Sequence, residues 1–171
     1  MDLKQFYQDK YPAGVPLEVD LKQYKNMVDV LEQAVKKYAD KPAFSAVGAT
    51  LTYRDLDQQS RNFAAWLQNH TNLEPGDRIA VQMPNVSQYP VVVYGAMRAG
   101  LIVVNTNPLY TKREMEHQFN DAGARALVVL ANMAENAEKV VPNTGIEHVI
   151  VTEVADMHSP FKRTLMNAAV K

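Results

Sequence analysis

The 171-residue sequence lacks features that mark whole classes of protein. It has no cysteine, so it can form neither a disulfide framework nor a thiolate metal site, which suits a reducing cytoplasm. A formal net charge of -1 provides no basic field for nucleic acid. No apolar run approaches the roughly 18 to 20 residues that cross a bilayer, and the first residues contain no apolar signal core. We therefore expect a cytoplasmic protein that neither spans a membrane nor binds nucleic acid.

Common motifs of phosphate binding and covalent catalysis are also missing. There is no G-x-G-x-x-G, and the interval from Gly95 to Gly100 is not followed by the Lys and Ser/Thr of a Walker loop. No serine lies in a G-x-S-x-G elbow. The histidines are too scattered to form a metal-ligand motif: His70, His117, His148 and His158. The residues alone therefore indicate no catalytic, cofactor-binding or metal-binding residue.

The sequence does contain apolar strands that alternate with amphipathic helices. It is 47% hydrophobic and 22% charged, which is ordinary for a globular domain. Continuous apolar runs, typical of strands that helices cover, occur at residues 78–83, 101–104, 126–130 and 148–151. Strands that alternate with helices need crossover connections. We therefore predict an α/β fold with an open, mostly parallel sheet flanked by helices.

Residues 97–110, MRAGLIVVNTNPLY, are predicted to form the centre of this sheet. Arg98 and Gly100 are typical of a helix C-terminus, where glycine accepts a positive φ. The run at 101–104 has no polar alternation, which favours a central strand, and Asn107-Pro108 ends it.

A polar group follows this predicted strand at the end where parallel sheets bind ligands. It consists of Asn105, Asn107, Pro108 and Tyr110. Two interpretations are open. In the first, the group lines a binding cleft. In the second, which usual turn chemistry favours, the asparagines hydrogen-bond their own turn and Pro108 fixes the exit.

Capping patterns predict where helices begin and end. Thr52 to Asp55 is a variant capping box, Thr111 to Glu114 is a full one, and Gly123 closes the helix that follows. The predicted N-caps are Thr52, Ser87 and Thr111, and an amphipathic helix is predicted from Asn26. Residues 43–47 and 50–53 predict a hairpin at the edge of the sheet.

The chain divides into three predicted parts. Residues 1–25 are expected to form an extended arm, because Tyr11-Pro12 and Val15-Pro16 favour extended backbone. Residues 26–151 form the α/β subdomain. Residues 152–171 form a tail, for which we weigh a basic amphipathic helix on a membrane surface against the start of structure that continues in a longer chain. The second is favoured, because so short a helix is marginal alone.

Two stretches carry a resemblance to a known family. LTYRDL at residues 51–56 is similar to the first core motif of the adenylate-forming superfamily, and MRAGLIVVNTNPLY is similar to its second. The sequence NTNPLYTKRE at residues 105–114, together with Tyr11-Pro12 in the predicted arm, favours the fatty-acid branch over aryl ligases and peptide-synthetase domains. The chain thus resembles the amino-terminal part of bacterial long-chain fatty-acid–CoA ligases.

The resemblance implies a parent enzyme that joins a fatty acid to ATP as an acyl-adenylate, releases pyrophosphate and transfers the acyl group to coenzyme A, with Mg²⁺ neutralising phosphate charge. In that family the chemistry is carried by a phosphate loop with a lysine, an adenine-binding segment, an acidic ribose contact and a lysine on a mobile carboxy-terminal domain. None of these occurs in this sequence. We therefore expect the fragment to be inactive, to bind no cofactor, and to contain no catalytic residue that can be carried over.

Other hypotheses are left open. The chain is alternatively a freestanding, non-catalytic α/β binding or interaction module, or part of an adenylate-forming ligase for a different acid. Fatty acid, ATP and CoA are the expected partners of the full-length enzyme. A peripheral membrane contact and a homodimer stay open as well, since a fragment exposes surface that other subdomains cover.

Overall fold

Helices and strands alternate through most of the chain in the computed structural model, which describes residues 3–8 and 10–170. The helices of this described part are α1 (Leu3–Gln8), α2 (Met27–Tyr38), α3 (Tyr53–His70), α4 (Gln88–Arg98), α5 (Lys112–Ala122), α6 (Ala134–Val140) and α7 (Pro160–Val170). Its strands are β1 (Pro42–Ala46), β2 (Ala49–Thr52), β3 (Arg78–Gln82), β4 (Ile102–Asn105), β5 (Ala124–Leu130) and β6 (His148–Thr152).

Four strands form one parallel sheet in the order β4-β3-β5-β6. Alternate side chains of β3 enter different cores: Ile79 and Val81 pack with α3 and α4, while Ala80 packs with α5 and α6. Helices therefore cover both faces, because the parallel crossovers have to run over them. The predicted α/β class, with an open, parallel, helix-flanked sheet, is confirmed.

The predicted position of the strand at residues 101–104 is wrong. β4 lies at one edge of the sheet and pairs only with β3 among the described strands. Ile102 is 53% exposed, and Val103 and Val104 are half-buried. The crossover after β4 passes over β3 and places β5 on its far side, so β3 and β5 are the inner strands. An apolar run reports a tendency to be buried, but it does not specify the order of strands.

The predicted hairpin forms, but it does not lie on the edge of the main sheet. β1 and β2 make a separate antiparallel pair that leads directly into α3. Its buried Leu51 packs with Leu31, Leu56 and Val91 from three helices. The hairpin is therefore held by helices rather than by pairing with the parallel strands.

Most predicted helix termini are confirmed. Capping boxes form at Thr52 and Thr111, as predicted. α2 begins directly after Asn26, whose Oδ1 accepts a hydrogen bond from the Asp29 backbone N–H at 2.9 Å, a cap that was not predicted. α5 ends at Gly123 in the left-handed conformation, with φ 59°. α4 ends as predicted as well: Gly100 has φ 82°, and the Leu101 N–H reaches the Ala96 carbonyl at 2.9 Å, which is the Schellman arrangement.

Ser87 occupies the predicted N-cap position of α4 without performing the capping role. Its backbone is already helical, at φ -63° and ψ -22°, and its side chain makes no capping hydrogen bond. A capping side chain normally needs an extended backbone in order to reach the second or third helical N–H. The chain already turns before Ser87, where the Val86 N–H donates to the Pro84 carbonyl, so Ser87 does not have the extended backbone that capping needs.

The segments near both ends of the described chain contain helices. Residues 3–8 form α1, which corrects the expectation of an extended arm over residues 1–25, since both X-Pro pairs lie after this helix. Residues 1, 2 and 9 of that range lie outside the described residues. In the predicted tail, residues 160–170 form α7. The boundaries of the three predicted parts stay predictions.

Two capping carboxylates link the stability of the fold to pH. The Thr52 hydroxyl and then its backbone N–H hold the pKa of Asp55 below its usual value of 3.8. The backbone N–H of Thr111 and then its hydroxyl hold the pKa of Glu114 below 4.5. Because folding favours both ionised forms, their stabilisation is complete above the unfolded pKa values and is lost as pH falls through the folded values.

We therefore expect the free energy of unfolding to fall as the pH is lowered from about 5 towards about 3. Urea unfolding followed by circular dichroism at each pH measures this dependence. In the double variant Asp55→Asn, Glu114→Gln the decrease should be smaller, since these two groups no longer titrate. The same decrease in the variant and the original chain would show that the capping carboxylates do not cause it.

Candidate functional site

The carboxyl edge of the parallel sheet contains the point at which the strand order reverses. The crossover after β3 leads to β4 on one side, and the crossover after β5 leads to β6 on the other. The carboxyl ends of β3 and β5 therefore flank a topological switch point, where open α/β sheets form their ligand crevices. The predicted polar group lies beside it, at residues 105–110. This segment consists of the last residue of β4 and the connection that follows, and we call it the 105–110 loop.

Asn107 supports the turn interpretation of this loop. Its side-chain oxygen accepts a hydrogen bond from the Leu109 N–H at 3.0 Å, and its carbonyl accepts one from the Tyr110 N–H at 3.1 Å. These are the bonds by which an asparagine closes its own turn. Tyr110 packs against the core on the α5 side of the sheet, and Pro108 is half-buried within the turn. These residues hold the loop in place.

Asn105 does not hydrogen-bond its own turn, in contrast to the turn interpretation. Its side-chain oxygen accepts a hydrogen bond from the Tyr89 hydroxyl at 2.9 Å, and its backbone carbonyl accepts one from Gln118 Nε2 at 3.1 Å. Gln82 Nε2 donates to the Asn107 carbonyl at 3.4 Å. Donors from β3, α4 and α5 thus converge on a loop of six residues. The loop is fixed by its neighbours as well as by its own turn.

Three of these polar residues were not identified from the sequence: Gln82, Tyr89 and Gln118. For Gln82 a signal exists, since it is the polar residue at the end of the apolar strand RIAVQ. A buried amide at a strand terminus calls for a specific partner. Tyr89 and Gln118 lie on helices whose rotation about their axes decides what they face, and the sequence pattern does not specify that rotation closely enough.

The site can bind by hydrogen bonding, but it offers no covalent chemistry. Gln82 is 1% exposed, and the Oε1 atoms of Gln82 and Gln118 accept no hydrogen bond from the described residues. Amide oxygens in this state are acceptors for a donor group. The residues gathered here supply amides and a phenol, without a paired nucleophile and base. The arrangement therefore positions a loop beside the switch point.

Gln82 provides a prediction about this site. The variant Gln82→Met removes a buried oxygen that has no donor, while the Asn107 carbonyl keeps its bond from Tyr110. We expect the free energy of unfolding to rise by about 1 kcal/mol, because the desolvation cost of the unpaired oxygen disappears. Chemical denaturation measures the change, and the exposed Gln68→Met on α3 should stay within about 0.5 kcal/mol. A loss of more than about 1 kcal/mol would show that the 3.4 Å bond stabilises the fold.

One cluster of carboxylates with shifted pKa values lies at the opposite ends of the strands. Before β3, the backbone N–H of Glu74 and then Arg125 lower the pKa of Asp77, whose carboxylate lies 2.6 Å from Arg125. Arg125 also binds Glu147 at 2.8 Å and, with Asn72, lowers its pKa. This cluster lies at the amino ends of the strands and ties them together. It is a structural ion-pair network rather than a candidate acid-base pair.

The next feature is the arrangement of side chains that could bind a metal ion. Within residues 3–8 and 10–170, no three His, Asp or Glu side chains lie close enough together to hold an ion. His148 Nε2 lies 2.6 Å from Asn72 Oδ1, and the His70 ring lies 5.9 Å from the Trp66 ring. The described donor set therefore does not fit Mg²⁺, which prefers carboxylate oxygens.

The helices of the described part also include none that is long and apolar enough to span a membrane.

Comparison with known proteins gives consistent matches across most of the chain. A family model described as AMP-binding enzyme matches residues 31–171. A long-chain-fatty-acid–CoA ligase of Escherichia coli O157:H7 is 50% identical over 169 residues, which are 99% of this chain and 30% of that protein. The chain therefore spans about 30% of the length of this curated relative.

Solved structures agree on the fold. A long-chain-fatty-acid–CoA ligase from Archaeoglobus fulgidus gives a TM-score of 0.72 at 23% identity, over 94% of this chain and 32% of that one. An anthranilate–CoA ligase in complex with anthranoyl-AMP gives a TM-score of 0.72 at 25% identity, over 78% of this chain and 26% of that one. The same arrangement of strands and helices is thus found in ligases for different acids.

Proposed function

The chain belongs to the AMP-binding enzyme family, and we propose on that basis that it is the amino-terminal part of a long-chain fatty-acid–CoA ligase. The proposed parent reaction joins a fatty acid, ATP and CoA into acyl-CoA, AMP and pyrophosphate. It proceeds through an acyl-adenylate, in which the fatty-acid carboxylate has displaced pyrophosphate from ATP. The thiol of CoA then displaces AMP to form the thioester.

The proposed substrate class, a fatty acid, is supported by a difference in sequence identity. Identity is 50% over 169 residues to a fatty-acid–CoA ligase, but 25% over a shorter overlap to an anthranilate–CoA ligase with a similar backbone. Backbone similarity alone does not separate acid substrates, because one fold carries many specificities. The higher identity extends over nearly the whole chain, and it favours the fatty-acid branch over other adenylate-forming ligases.

In this proposal the chain supplies structure and no chemical step. Gln82, Tyr89 and Gln118 hold the loop after β4 beside the switch point, and no described residue is placed to activate a carboxylate or a thiol. The donor groups of the described residues do not fit Mg²⁺. ATP, Mg²⁺ and CoA would bind residues of the longer protein. We also propose a cytoplasmic location with a peripheral membrane contact for that protein.

The substrate class is tested with the product of the complete reading frame that contains codons 1–171. Pyrophosphate release is measured with palmitate and, separately, with benzoate, at matched enzyme concentration. We expect the rate with palmitate to exceed that with benzoate by more than about tenfold, because a long acyl site binds a small ring poorly. A faster rate with benzoate would assign the chain to a ligase for a different acid.

A further inference from the structure

The turn of the β1–β2 hairpin contains a strained valine. Ala46 pairs with Ala49, so the two residues between them form the turn. These residues, Val47 and Gly48, both have a positive φ, of 52° and 76°, and no other non-glycine residue of the described part has one. Such a turn favours asparagine followed by glycine. A branched Cβ crowds the left-handed backbone, so valine costs free energy where asparagine would not.

Within the described chain no apolar contact compensates for this strain. The Val47 side chain is 47% exposed and belongs to none of the apolar clusters formed by residues 3–8 and 10–170. Phe44 in β1 is 43% exposed, although it pairs with the buried Leu51. Backbone strain of this kind persists where surrounding structure holds it in place. We call the two exposed apolar side chains, Val47 and Phe44, the hairpin tip.

The hairpin also lacks the features that protect a strand edge in water. Residues 43–52, AFSAVGATLT, contain no charged residue and no proline. Exposed edge strands normally carry one or the other, which prevents them from pairing with further strands. The cores of permanent protein interfaces are depleted of charged residues in the same way. The composition of the hairpin is thus typical of a surface that stays covered in the native protein.

We propose that the rest of a longer polypeptide covers the hairpin tip with an apolar surface. This inference rests on the proposed function, in which the chain is one part of a ligase. The chain spans about 30% of the length of its curated relative, so most of such a protein is available as a permanent cover. A lipid surface is disfavoured, because anionic lipid attracts basic side chains and residues 43–52 contain none.

The proposal is tested by hydrogen exchange of the backbone amides of residues 43–52, measured by mass spectrometry. The rate of this exchange reports how often the hairpin opens. In the 171-residue chain, Val47→Asn should slow the exchange about fivefold, because asparagine tolerates the left-handed backbone. In the product of the complete reading frame the same variant should accelerate it about tenfold, because a buried apolar side chain is lost. Opposite effects in the two forms are the expected result.

Two further variants serve as controls. Val47→Met keeps an apolar side chain at the hairpin tip, so the complete product should retain most of its protection from exchange. Leu109→Asn replaces a leucine that is 87% exposed and lies outside the hairpin. It should leave the exchange of residues 43–52 unchanged in both forms.

Three results would overturn the proposal. Slower exchange of Val47→Asn in both forms would show that water surrounds the hairpin tip in the complete product. Faster exchange of this variant already in the 171-residue chain would show that Val47 packs within that chain. Protection that appears only as the concentration of the complete product rises would assign the cover to a second copy.

These measurements are independent of catalysis, because exchange is followed without substrate. A complete product that shows the opposite effects of Val47→Asn but no ligase activity would support the proposed cover and contradict the proposed function. An active ligase in which Val47→Asn slows exchange would contradict the cover and leave the function unaffected.

Discussion

Replacing Arg98 by methionine is expected to lower the free energy of unfolding by about 3 kcal/mol. The Arg98 guanidinium lies between three helices and binds Asp57 at 2.6 Å, Glu32 at 2.9 Å and Ser60 at 3.2 Å. Its side chain is 8% exposed. Removing the buried guanidinium leaves Asp57 and Glu32 with the exposed Arg61 as their remaining partner, and it costs more than the ion pair itself contributes.

Arg61 is the matched control for this prediction. It binds the same two carboxylates, at 3.3 Å to Glu32 and 3.1 Å to Asp57, but its side chain is 52% exposed. An exposed ion pair is weakened by water and by side-chain entropy, so Arg61→Met should cost less than about 1 kcal/mol. Urea denaturation of both variants gives the comparison. Equal losses would show that burial does not decide the strength of this network.

Adding a single methyl group at Gly95 is expected to cost about 2 kcal/mol. A Cβ at this position of α4 would lie 2.7 Å from Phe63 Cδ1 and 2.9 Å from the Ser60 carbonyl of α3. The carbonyl belongs to a helix backbone and cannot turn aside, so the two helices must separate. Alanine is the better helix former by about 1 kcal/mol, and the packing cost has to exceed this gain.

Gly145→Ala provides the control for Gly95→Ala. A Cβ at Gly145 would meet the Ala124 carbonyl at 3.7 Å, an ordinary contact, and the backbone there has no positive φ. We expect a change within about 0.5 kcal/mol, since the unfolded chain loses some freedom and nothing in the folded chain has to move. If Gly95→Ala proved equally mild, the close approach of α3 and α4 would not limit stability.

Local features of this fold could be predicted from the sequence, whereas relations between distant elements could not. Thr52 with Asp55, Thr111 with Glu114, and Gly100 act within one turn of chain, so their residue types determine the local geometry. The position of β4 depends on which side of β3 each crossover takes. The apolar run at residues 101–104 contains no information about that choice, and the central assignment was therefore wrong.

In the candidate site, too, local contacts could be predicted from the sequence and contacts between distant elements could not. Asn107 closes its own turn, as the pattern indicated, whereas Asn105 is held by Tyr89 from a different element. Gln82 and Gln118 lie 36 residues apart along the chain, and the fold brings both to one loop. The resemblance of two motifs identified the family, although the residues themselves indicated no reaction. The chemistry expected of that family needs groups that this chain does not contain.

The most direct test of this account is fatty-acid-dependent exchange of pyrophosphate with ATP. It is measured for the purified 171-residue chain and for the product of the complete reading frame that contains it. We predict no exchange above background for the chain and palmitate-dependent exchange for the complete product. Exchange by the isolated chain would contradict the assignment of catalysis to the rest of the protein. A reading frame that stops at Lys171 would contradict the ligase assignment itself.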